Sequence, residues 1–416
     1  MSVNQSRTLE RFRKDFPALA RKQNGKPLVF FDGAAGSQVP KQVIDAIGSY
    51  YKHSNANSAG AFVTSVETDK TREDTRATVA EFVGASNSDT ISFGANMTTL
   101  NFSLSKAIGR ALRKGDEILI TQLDHEANRG PWLALRERKI TVKEILMKPD
   151  GTLDYDDVRR KINKRTRLVA MGMASNALGT VNDVHRVREW TAKVGAWLLV
   201  DAVHFAPHFL MDATSLDVDF LLCSAYKFYG PHVGILYARN GLLNQLQTDR
   251  LCTQDEQAPT RIETGTLNHA AIAGVKAAIE YLAGIGRGKT LRSKLSSAFE
   301  TIHEHEIGLA RKISDGLENF PGVTVYGPPF NSEKRAPTVS FTTDGLTARE
   351  VCVKLSEKGI CAWDGHFYAV RAIEVLGLKK KGGVTRVGPL LYNTMDEVAR
   401  FLKEIRRIAE SRSSSH

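Results

Sequence analysis

Short apolar segments alternate with amphipathic ones through the middle of the chain. Apolar runs flanked by polar residues predict strands at 90–93, 117–121, 167–173, 196–200 and 219–223. Apolar residues three or four positions apart predict helices at 100–112 and 184–194. Apolar strands separated by helices are typical of a mostly parallel sheet that is covered on both faces. The sequence therefore predicts an α/β fold in which ligands bind beyond the carboxyl ends of the strands.

The pattern changes after about residue 285. A long helical stretch precedes shorter strands and helices, at 291–317, 323–326, 338–341, 348–358, 385–387 and 395–408. This order predicts a smaller α+β domain at the C-terminal end. The predicted division is an N-terminal segment that packs with the small domain, a large domain, the small domain and a flexible tail, at 1–30, 31–285, 286–410 and 411–416.

The composition of the chain argues against some classes of partner. The net charge is +11, yet the densest basic run, 379–381, is short and precedes two glycines. We interpret this run as a solvated turn, and we expect no nucleic-acid partner because no recognition motif accompanies it. No apolar run is long enough to cross a bilayer, so no membrane association is expected.

The cysteines and the N-terminal pattern point to the cytoplasm. The four cysteines, Cys223, Cys252, Cys352 and Cys361, are far apart and form no CxxC pair, which predicts neither a disulfide framework nor a metal site. The N-terminus has no apolar segment of the signal-peptide type. Its apolar residues 9, 12, 16 and 19 instead fall on one helical face. We therefore expect a cytoplasmic protein.

Two ionisable residues follow predicted strands. Lys227 lies just after the strand at 219–223 and precedes Gly230 and Pro231, while Asp201 ends the apolar run at 197–200. Taken alone, Lys227 would more often be a surface lysine in a turn, and Asp201 would start a turn or cap a helix. At the ligand edge of a sheet, a desolvated lysine can act as a nucleophile and a carboxylate can pair with a cofactor's ring nitrogen.

Two further segments lie at the same predicted edge. His125 follows the strand at 117–121, and residues 94–99 join a strand to a helix. A lone histidine there is more often a surface or capping residue, and many strand–helix junctions bind nothing. Both positions also suit a cofactor, because an imidazole can stack on an aromatic ring and a helix N-terminus holds phosphate.

Together these segments resemble the class V aminotransferase group of fold-type I pyridoxal 5′-phosphate (PLP) enzymes, and within it the cysteine desulfurases and selenocysteine lyases. The resemblance runs from residues 30–36 to residues 391–394. It implies a PLP-dependent transferase fold with a mostly parallel, seven-stranded type of sheet between helices. It also implies that Lys227 holds the cofactor as a Schiff base, that Asp201 pairs with its pyridinium nitrogen, and that His125 stacks on its ring.

The resemblance assigns further cofactor contacts. Asn176 corresponds to the family's asparagine near the cofactor's phenolic oxygen and the substrate, and His204 takes the place of the usual glutamine beside that oxygen. Ser224 corresponds to a phosphate ligand, and Asn96 and Met97 lie where the family has its phosphate-binding turn.

Two more assignments concern the substrate and the assembly. Arg386 corresponds to the arginine that binds the α-carboxylate of a small amino-acid substrate, a task that suits a bidentate guanidinium. Thr266 corresponds to a phosphate contact that the partner subunit supplies, so the resemblance implies a homodimer with shared sites.

The departures from the family bear on the reaction. Tyr368 stands where desulfurases have their persulfide-forming cysteine, and a phenol cannot accept sulfane sulfur as a thiolate does. Trp363 replaces a common arginine, and Tyr226 replaces the histidine before the lysine. Cys361 is a conceivable substitute thiol, but we interpret it as a buried strand residue.

The leading hypothesis is a C–S lyase that acts on cysteine or an S-substituted cysteine by β-elimination, with Lys227, His125 and Asp201 as catalytic residues and Tyr368 near the substrate. A cysteine desulfurase that uses Cys361 or another thiol is the second hypothesis. An aminotransferase or epimerase of a specialised pathway is the third, and a PLP-binding scaffold without turnover is the non-enzymatic alternative. The sequence leaves the substrate side chain open.

Overall fold

The computed structural model describes residues 9–330 and 335–413, with side chains up to residue 410. The α-helices from residue 41 onward are α1 (Lys41–His53), α2 (Val63–Val83), α3 (Met97–Ala111), α4 (Gly130–Leu133), α5 (Tyr155–Lys161), α6 (Val184–Val194), α7 (His269–Ile285), α8 (Leu291–Glu318), α9 (Ala348–Glu357), α10 (Val370–Val375) and α11 (Met395–Ser413). The strands are β1 (Lys22–Gln23), β2 (Lys26–Pro27), β3 (Val29–Phe30), β4 (Ile91–Gly94), β5 (Glu117–Thr121), β6 (Thr141–Ile145), β7 (Thr166–Gly172), β8 (Trp197–Asp201), β9 (Phe220–Ser224), β10 (Gly234–Ala238), β11 (Val323–Tyr326), β12 (Val339–Thr343), β13 (Ile360–Cys361), β14 (Trp363–Gly365) and β15 (Val384–Val387).

A seven-stranded sheet in the order β4-β10-β9-β8-β7-β5-β6 forms the centre of the molecule. Neighbouring strands from β9 to β6 pair in parallel, and β10 runs antiparallel to both β9 and β4. Every residue of β5, β9 and β10 is buried, as expected for strands covered on both faces. This sheet confirms the predicted α/β fold.

The antiparallel strand β10 was not predicted, and it has a direct effect on the ligand edge. Gly234 pairs with Gly94 at the end of β4 and with Ser224 at the end of β9. A Cβ atom at position 234 would lie 2.3 Å from the carbonyl carbon of Asn96. Glycine is therefore required here, because it lets the strand pass directly against the turn that starts α3.

The C-terminal part contains a four-stranded antiparallel sheet in the order β11-β12-β15-β14. Predicted strands at 323–326, 338–341 and 385–387 correspond to β11, β12 and β15. The N-terminal segment joins this part, since β3 pairs in parallel with β13 and Arg13 forms an ion pair with Glu397.

The N-terminal apolar face is buried by two 3-10 helices, Arg11–Asp15 and Pro17–Ala20, and not by one continuous helix. Phe16 is extended between them because a residue before proline avoids helical backbone angles. Its ring packs edge-on against Tyr229, Tyr281 and Tyr392.

The long helix α8 joins two hydrophobic cores. Leu295, Phe299 and Ile302 in its first half pack in the core beneath the seven-stranded sheet. Leu309 and Ile313 in its second half pack in the core of the four-stranded sheet. The helix therefore belongs to both parts of the molecule. The domain boundaries given above stay predictions.

At the C-terminal end, α11 continues to Ser413, so the described part of the predicted tail is helical, and residues 414–416 lie outside the described residues. Residues 379–381 form an exposed 3-10 turn, as interpreted from the sequence. None of the helices in the described part of the chain has both the length and the apolar character that a bilayer span requires.

Candidate active site

A cavity of about 480 Å³ opens at the carboxyl edge of the seven-stranded sheet. The segments that follow β4, β5, β7, β8 and β9 all contribute to it, together with residues 363–368 and Arg386 from the C-terminal part. The structure brings together nearly all of the site residues predicted from the sequence: Asn96, Met97, His125, Asn176, Asp201, His204, Ser224, Lys227, Tyr368 and Arg386.

Lys227 ends a 3-10 turn, Ala225–Lys227, that follows β9. Its side chain is buried, and Nζ donates a hydrogen bond of 2.6 Å to the carbonyl oxygen of Ala34. Burial, reinforced by the cation of Arg386, lowers the pKa of Lys227 to about 7, while the carboxylate of Asp201 opposes the shift. A substantial fraction of this amine is therefore neutral near pH 7, as a nucleophile or base requires.

Asp201 is the last residue of β8, and its Oδ1 accepts a hydrogen bond of 2.9 Å from the backbone N–H of Val203. Burial and the neighbouring Asp124 carboxylate raise the pKa of Asp201 to about 7, although the Val203 hydrogen bond and Lys227 lower it. A buried carboxylate with a raised pKa gains from a cationic partner. The protonated nitrogen of a pyridine ring is such a partner.

Asp124 supports this arrangement from the segment that follows β5, a strand separated from β8 by β7. Its Oδ1 accepts a hydrogen bond of 2.8 Å from the N–H of Gly172, and its Oδ2 accepts one of 3.0 Å from Nδ2 of Asn128. Burial raises the pKa of Asp124 to about 6. The sequence places Asp124 beside His125, but nothing in the sequence alone indicates that it adjoins Asp201.

The turn before α3 has the geometry of an anion site. Asn96 caps the helix, with its Oδ1 accepting from the N–H of Thr99 at 2.9 Å. The N–H of Met97 donates to Oγ of Ser224 at 3.0 Å, so the helix N-terminus and the end of β9 meet. Backbone N–H groups and a hydroxyl at the start of a 15-residue helix suit a phosphate group.

His125 lies in the segment that follows β5, just before a short 3-10 helix, Glu126–Asn128. Its Nδ1 accepts a hydrogen bond of 3.0 Å from the N–H of Ala127, so the neutral ring carries its hydrogen on Nε2. Burial, Lys227 and Arg386 lower the pKa of His125 to about 4. The imidazole is therefore neutral at physiological pH. Its ring centroid lies 5.2 Å from that of Tyr368.

Arg386 on β15 brings a buried guanidinium to the cavity. Its Nη1 donates to the carbonyl oxygen of Asn176 at 2.8 Å, and its Cζ lies 3.8 Å from the centroid of the Phe367 ring. Burial lowers the pKa of Arg386 to about 9, so it remains a cation at neutral pH. Among the described residues, Nε of Arg386 has no hydrogen-bond partner. An anionic substrate group would satisfy it.

His204, three residues after Asp201 in the chain, also lines the cavity. Its Nε2 is hydrogen-bonded with Oγ1 of Thr338 at 2.8 Å, and its Nδ1 has no partner within residues 9–330 and 335–413. Burial, with the nearby His208 and the cations of Lys227 and Arg386, lowers the pKa of His204. A neutral imidazole with a free Nδ1 can exchange a hydrogen bond with a ligand's oxygen.

Two residues discussed at the sequence level lie outside the cavity. Thr266 is on an exposed loop before α7 and lines separate surface hollows with residues such as His269. Cys361 is half-buried on β13 and does not line the cavity. Burial and the nearby Asp32 raise the pKa of the Cys361 thiol to about 11.

Three contributors were missed by sequence reasoning. The carbonyl of Ala34 accepts a hydrogen bond from Lys227. The carboxylate of Asp124 raises the pKa of Asp201, and the ring of Phe367 packs on the guanidinium of Arg386. Asp124 carried a signal, because it also follows the strand at 117–121. The other two carried no such signal. Every residue has a carbonyl oxygen, and most aromatic residues on loops bind no ligand.

The residues of the cavity fit PLP. Its aldehyde requires a buried neutral amine, which Lys227 provides; its pyridinium nitrogen requires a carboxylate, which Asp201 provides. Its phosphate requires anion-binding groups, which the N-terminus of α3 and Ser224 provide. The unpartnered Nδ1 of His204 and Nε of Arg386 leave hydrogen-bonding capacity for the cofactor and a substrate.

Comparisons with known proteins agree with this fit. The family model described as "Aminotransferase class-V" matches residues 29–401. A cysteine desulfurase from Serratia proteamaculans is 33% identical over 416 residues, covering 96% of this chain and 98% of the relative. The apo structure of a cysteine desulfurase from Thermococcus onnurineus superposes with a TM-score of 0.86 at 29% identity, covering 97% of this chain and 98% of the other. A cysteine desulfurase from Escherichia coli, in its S-sulfonic acid form, has a TM-score of 0.83 at 26% identity.

Proposed function

This chain belongs to the class V aminotransferase family and is a PLP-dependent enzyme, and from that membership we propose that it cleaves the C–S bond of cysteine or an S-substituted cysteine by β-elimination. One observation carries the proposal. The cavity combines a lysine, three carboxylates and a guanidinium, but none of the described residues that line it is a cysteine. Without a thiol to accept sulfur, the sulfur leaves as a free thiol.

Binding of the amino acid rests on Arg386 and Asn176. The guanidinium of Arg386 is held by the carbonyl of Asn176 and covered by the ring of Phe367, so it is fixed before substrate arrives. A charge-assisted pair between this guanidinium and the α-carboxylate directs the α-amine and the Cα–H bond of the substrate toward Lys227.

Lys227 serves as the general base. When bound, PLP supplies an aldehyde for the substrate amine and a protonated ring that withdraws electrons from Cα. Asp201 keeps that ring protonated because its buried carboxylate pairs with the nitrogen. The neutral amine of Lys227 then takes the proton from Cα, and the Cβ–S bond breaks as the sulfur leaves with its electron pair.

The departing sulfur needs a proton, and two side chains that line the cavity can donate one. The neutral ring of His125 carries hydrogen on Nε2, and the Tyr368 hydroxyl stands beside that ring. Hydrolysis of the remaining three-carbon enamine by water gives pyruvate and ammonium. The overall change is therefore an S-substituted cysteine plus water to a thiol, pyruvate and ammonium, with no net oxidation.

The product assay tests this proposal. Purified holoenzyme is incubated with L-cysteine, S-methyl-L-cysteine and S-benzyl-L-cysteine, and pyruvate, thiol, ammonium and alanine are measured together. We expect pyruvate and thiol in equal amounts from at least one substrate and no alanine. Retention of bound PLP with no pyruvate from any cysteine derivative would contradict the proposal.

The second candidate is a cysteine desulfurase, which the names of the similar proteins favour. It requires a thiol that receives the sulfur, and Cys361 lies in β13 outside the cavity with a raised pKa. The same assay distinguishes it, because a desulfurase gives alanine and a persulfide detectable by mass spectrometry. Two remaining reactions have their own signatures: an aminotransferase converts bound PLP to its pyridoxamine form, and an epimerase exchanges the α-hydrogen with solvent deuterium.

We further propose a cytoplasmic homodimer in which Thr266 contacts the PLP phosphate of the partner subunit. Thr266 is exposed and outside its own cavity, and large apolar side chains on α1 and α2 are exposed, among them Tyr51, Phe62 and Val63. Such side chains are typical of an interface. Sedimentation analysis of the wild type and of Phe62→Asp tests it: a monomeric wild type contradicts the dimer.

All four cysteines are free, which suits a reducing compartment.

A further inference from the structure

An aromatic collar surrounds the mouth of the cavity. We use this name for Trp363, His366, Phe367 and Tyr368, together with His125 against which Tyr368 stacks. Trp363 is 48% exposed and Tyr368 is 65% exposed, although both line the cavity. Large aromatic surfaces left in water at the entrance of a pocket mark a binding surface for another apolar group.

The backbone of the collar is held in an unfavourable conformation. Phe367 and Tyr368 have φ angles of 53° and 59°, in the left-handed region that non-glycine residues rarely adopt. Two hydrogen bonds fix them: Nδ2 of Asn176 donates to the carbonyl of Phe367 at 2.8 Å, and the N–H of Glu126 donates to the carbonyl of Tyr368 at 2.8 Å. Two consecutive strained residues that are tied to the catalytic wall indicate a segment shaped for a ligand.

The collar presents little charge to the cavity. The one carboxylate of the segment at 363–368, on Asp364, forms an ion pair with Arg349 at 3.2 Å. Within the described lining, the groups that bind the amino-acid end are Lys227 and Arg386, and both lie deep in the cavity. Trp363 pairs with Arg386 across β14 and β15, and the ring of Phe367 covers the Arg386 guanidinium, so the collar adjoins the end that holds the amino acid. The small thiol of free cysteine offers these rings little apolar surface, whereas an apolar group on sulfur can pack against them.

We propose that the aromatic collar binds the S-substituent of the substrate, so that the enzyme prefers S-conjugates of cysteine that carry a bulky apolar group, above all an aryl or arylmethyl group. This inference rests on the proposed C–S lyase function and names its substrate class. Trp363 and Tyr368 are then specificity-determining residues, since their rings pack against the substituent. Apolar and aromatic contacts of this kind add about threefold to tenfold per ring.

The test compares kcat/KM for S-benzyl-L-cysteine and S-methyl-L-cysteine in the holoenzyme, with thiol release as readout. We expect a preference of at least about tenfold for the benzyl substrate. Trp363→Ala should reduce this preference by about threefold to tenfold, chiefly by raising KM for the benzyl substrate. Tyr368→Phe keeps the ring and should preserve the preference, whereas Tyr368→Ala should reduce it.

A matched control is Trp190→Ala on α6, because Trp190 contacts Arg186 and does not line the cavity. It should leave the preference unchanged. Equal kcat/KM for the two substrates, or a preference that survives both Trp363→Ala and Tyr368→Ala, overturns the collar while thiol and pyruvate release still support the lyase. Failure to release pyruvate from any substrate overturns the lyase itself, and the two failures are therefore distinct. Thermal melting of each variant confirms that it is folded.

Discussion

The two walls of the cavity differ in origin and in character. One wall is the carboxyl edge of the seven-stranded sheet, where Lys227, Asp201 and Asp124 are buried and their pKa values are shifted toward neutrality. The other is the segment at 363–368 beside the four-stranded sheet, where Trp363 and Tyr368 are exposed. Proton transfer requires desolvated, fixed groups, and substrate selection requires an accessible surface. Under the proposed function, the difference separates the groups that carry the reaction from those that select the substrate.

The largest effect is expected on the buried wall. Lys227→Ala should lower kcat by a factor of about 10² to 10⁴, because it removes the general base. Borohydride reduction followed by peptide mass analysis should find a pyridoxyl group on Lys227 of the wild type and none in the variant. The control Lys379→Ala removes an exposed lysine that is paired with Glu374 and should keep full activity. A pyridoxyl group on another lysine of the wild type would contradict the assignment.

A smaller effect is expected from the positive charge of Arg386, which lines the cavity. The rate at which apoprotein takes up PLP should rise with pH and have its midpoint near the Lys227 pKa of about 7, since only the neutral amine attacks the aldehyde. Arg386 lowers that pKa, so Arg386→Gln should move the midpoint upward by up to about 1 pH unit. The visible absorption of bound cofactor reports the rate. Arg349→Gln, an exposed variant, should leave the midpoint in place, and a downward shift in Arg386→Gln would refute the charge effect.

The smallest effect is expected outside both walls. Cys361→Ser should change kcat/KM by less than about twofold, because Cys361 does not line the cavity and the raised pKa of its thiol leaves little thiolate. Initial rates of thiol release measure it, with Cys352→Ser as a second buried-thiol control. A loss of activity accompanied by the disappearance of a persulfide would instead support the desulfurase.

The sequence predicted the buried wall better than the exposed one. Lys227 and Asp201 could be located because each follows an apolar run, and parallel strands bring such ends to one edge. The antiparallel direction of β10 could not be predicted, because the direction of a strand depends on its partner strands and not on the local sequence pattern. The contact between Lys227 and Ala34 joins residues 193 positions apart through a backbone atom, which no side-chain pattern encodes.

The collar illustrates the other limit. Tyr368 and Trp363 were recognised as departures from a family pattern, yet the contact between the rings of Tyr368 and His125 accompanies a left-handed backbone at Phe367 and Tyr368. Such angles are uncommon for aromatic residues, so no pattern in the sequence predicts them.

Helix α8 has a consequence for how the molecule can move and be divided. Its 28 residues span about 42 Å as one rigid rod, and opposite ends of the rod are embedded in the two cores. A cut at residue 286 would strip the first core of Leu295, Phe299 and Ile302, so we expect neither fragment to fold alone. We expect the same rod to limit hinge motion between the two parts of the molecule, and hence changes in the width of the cavity.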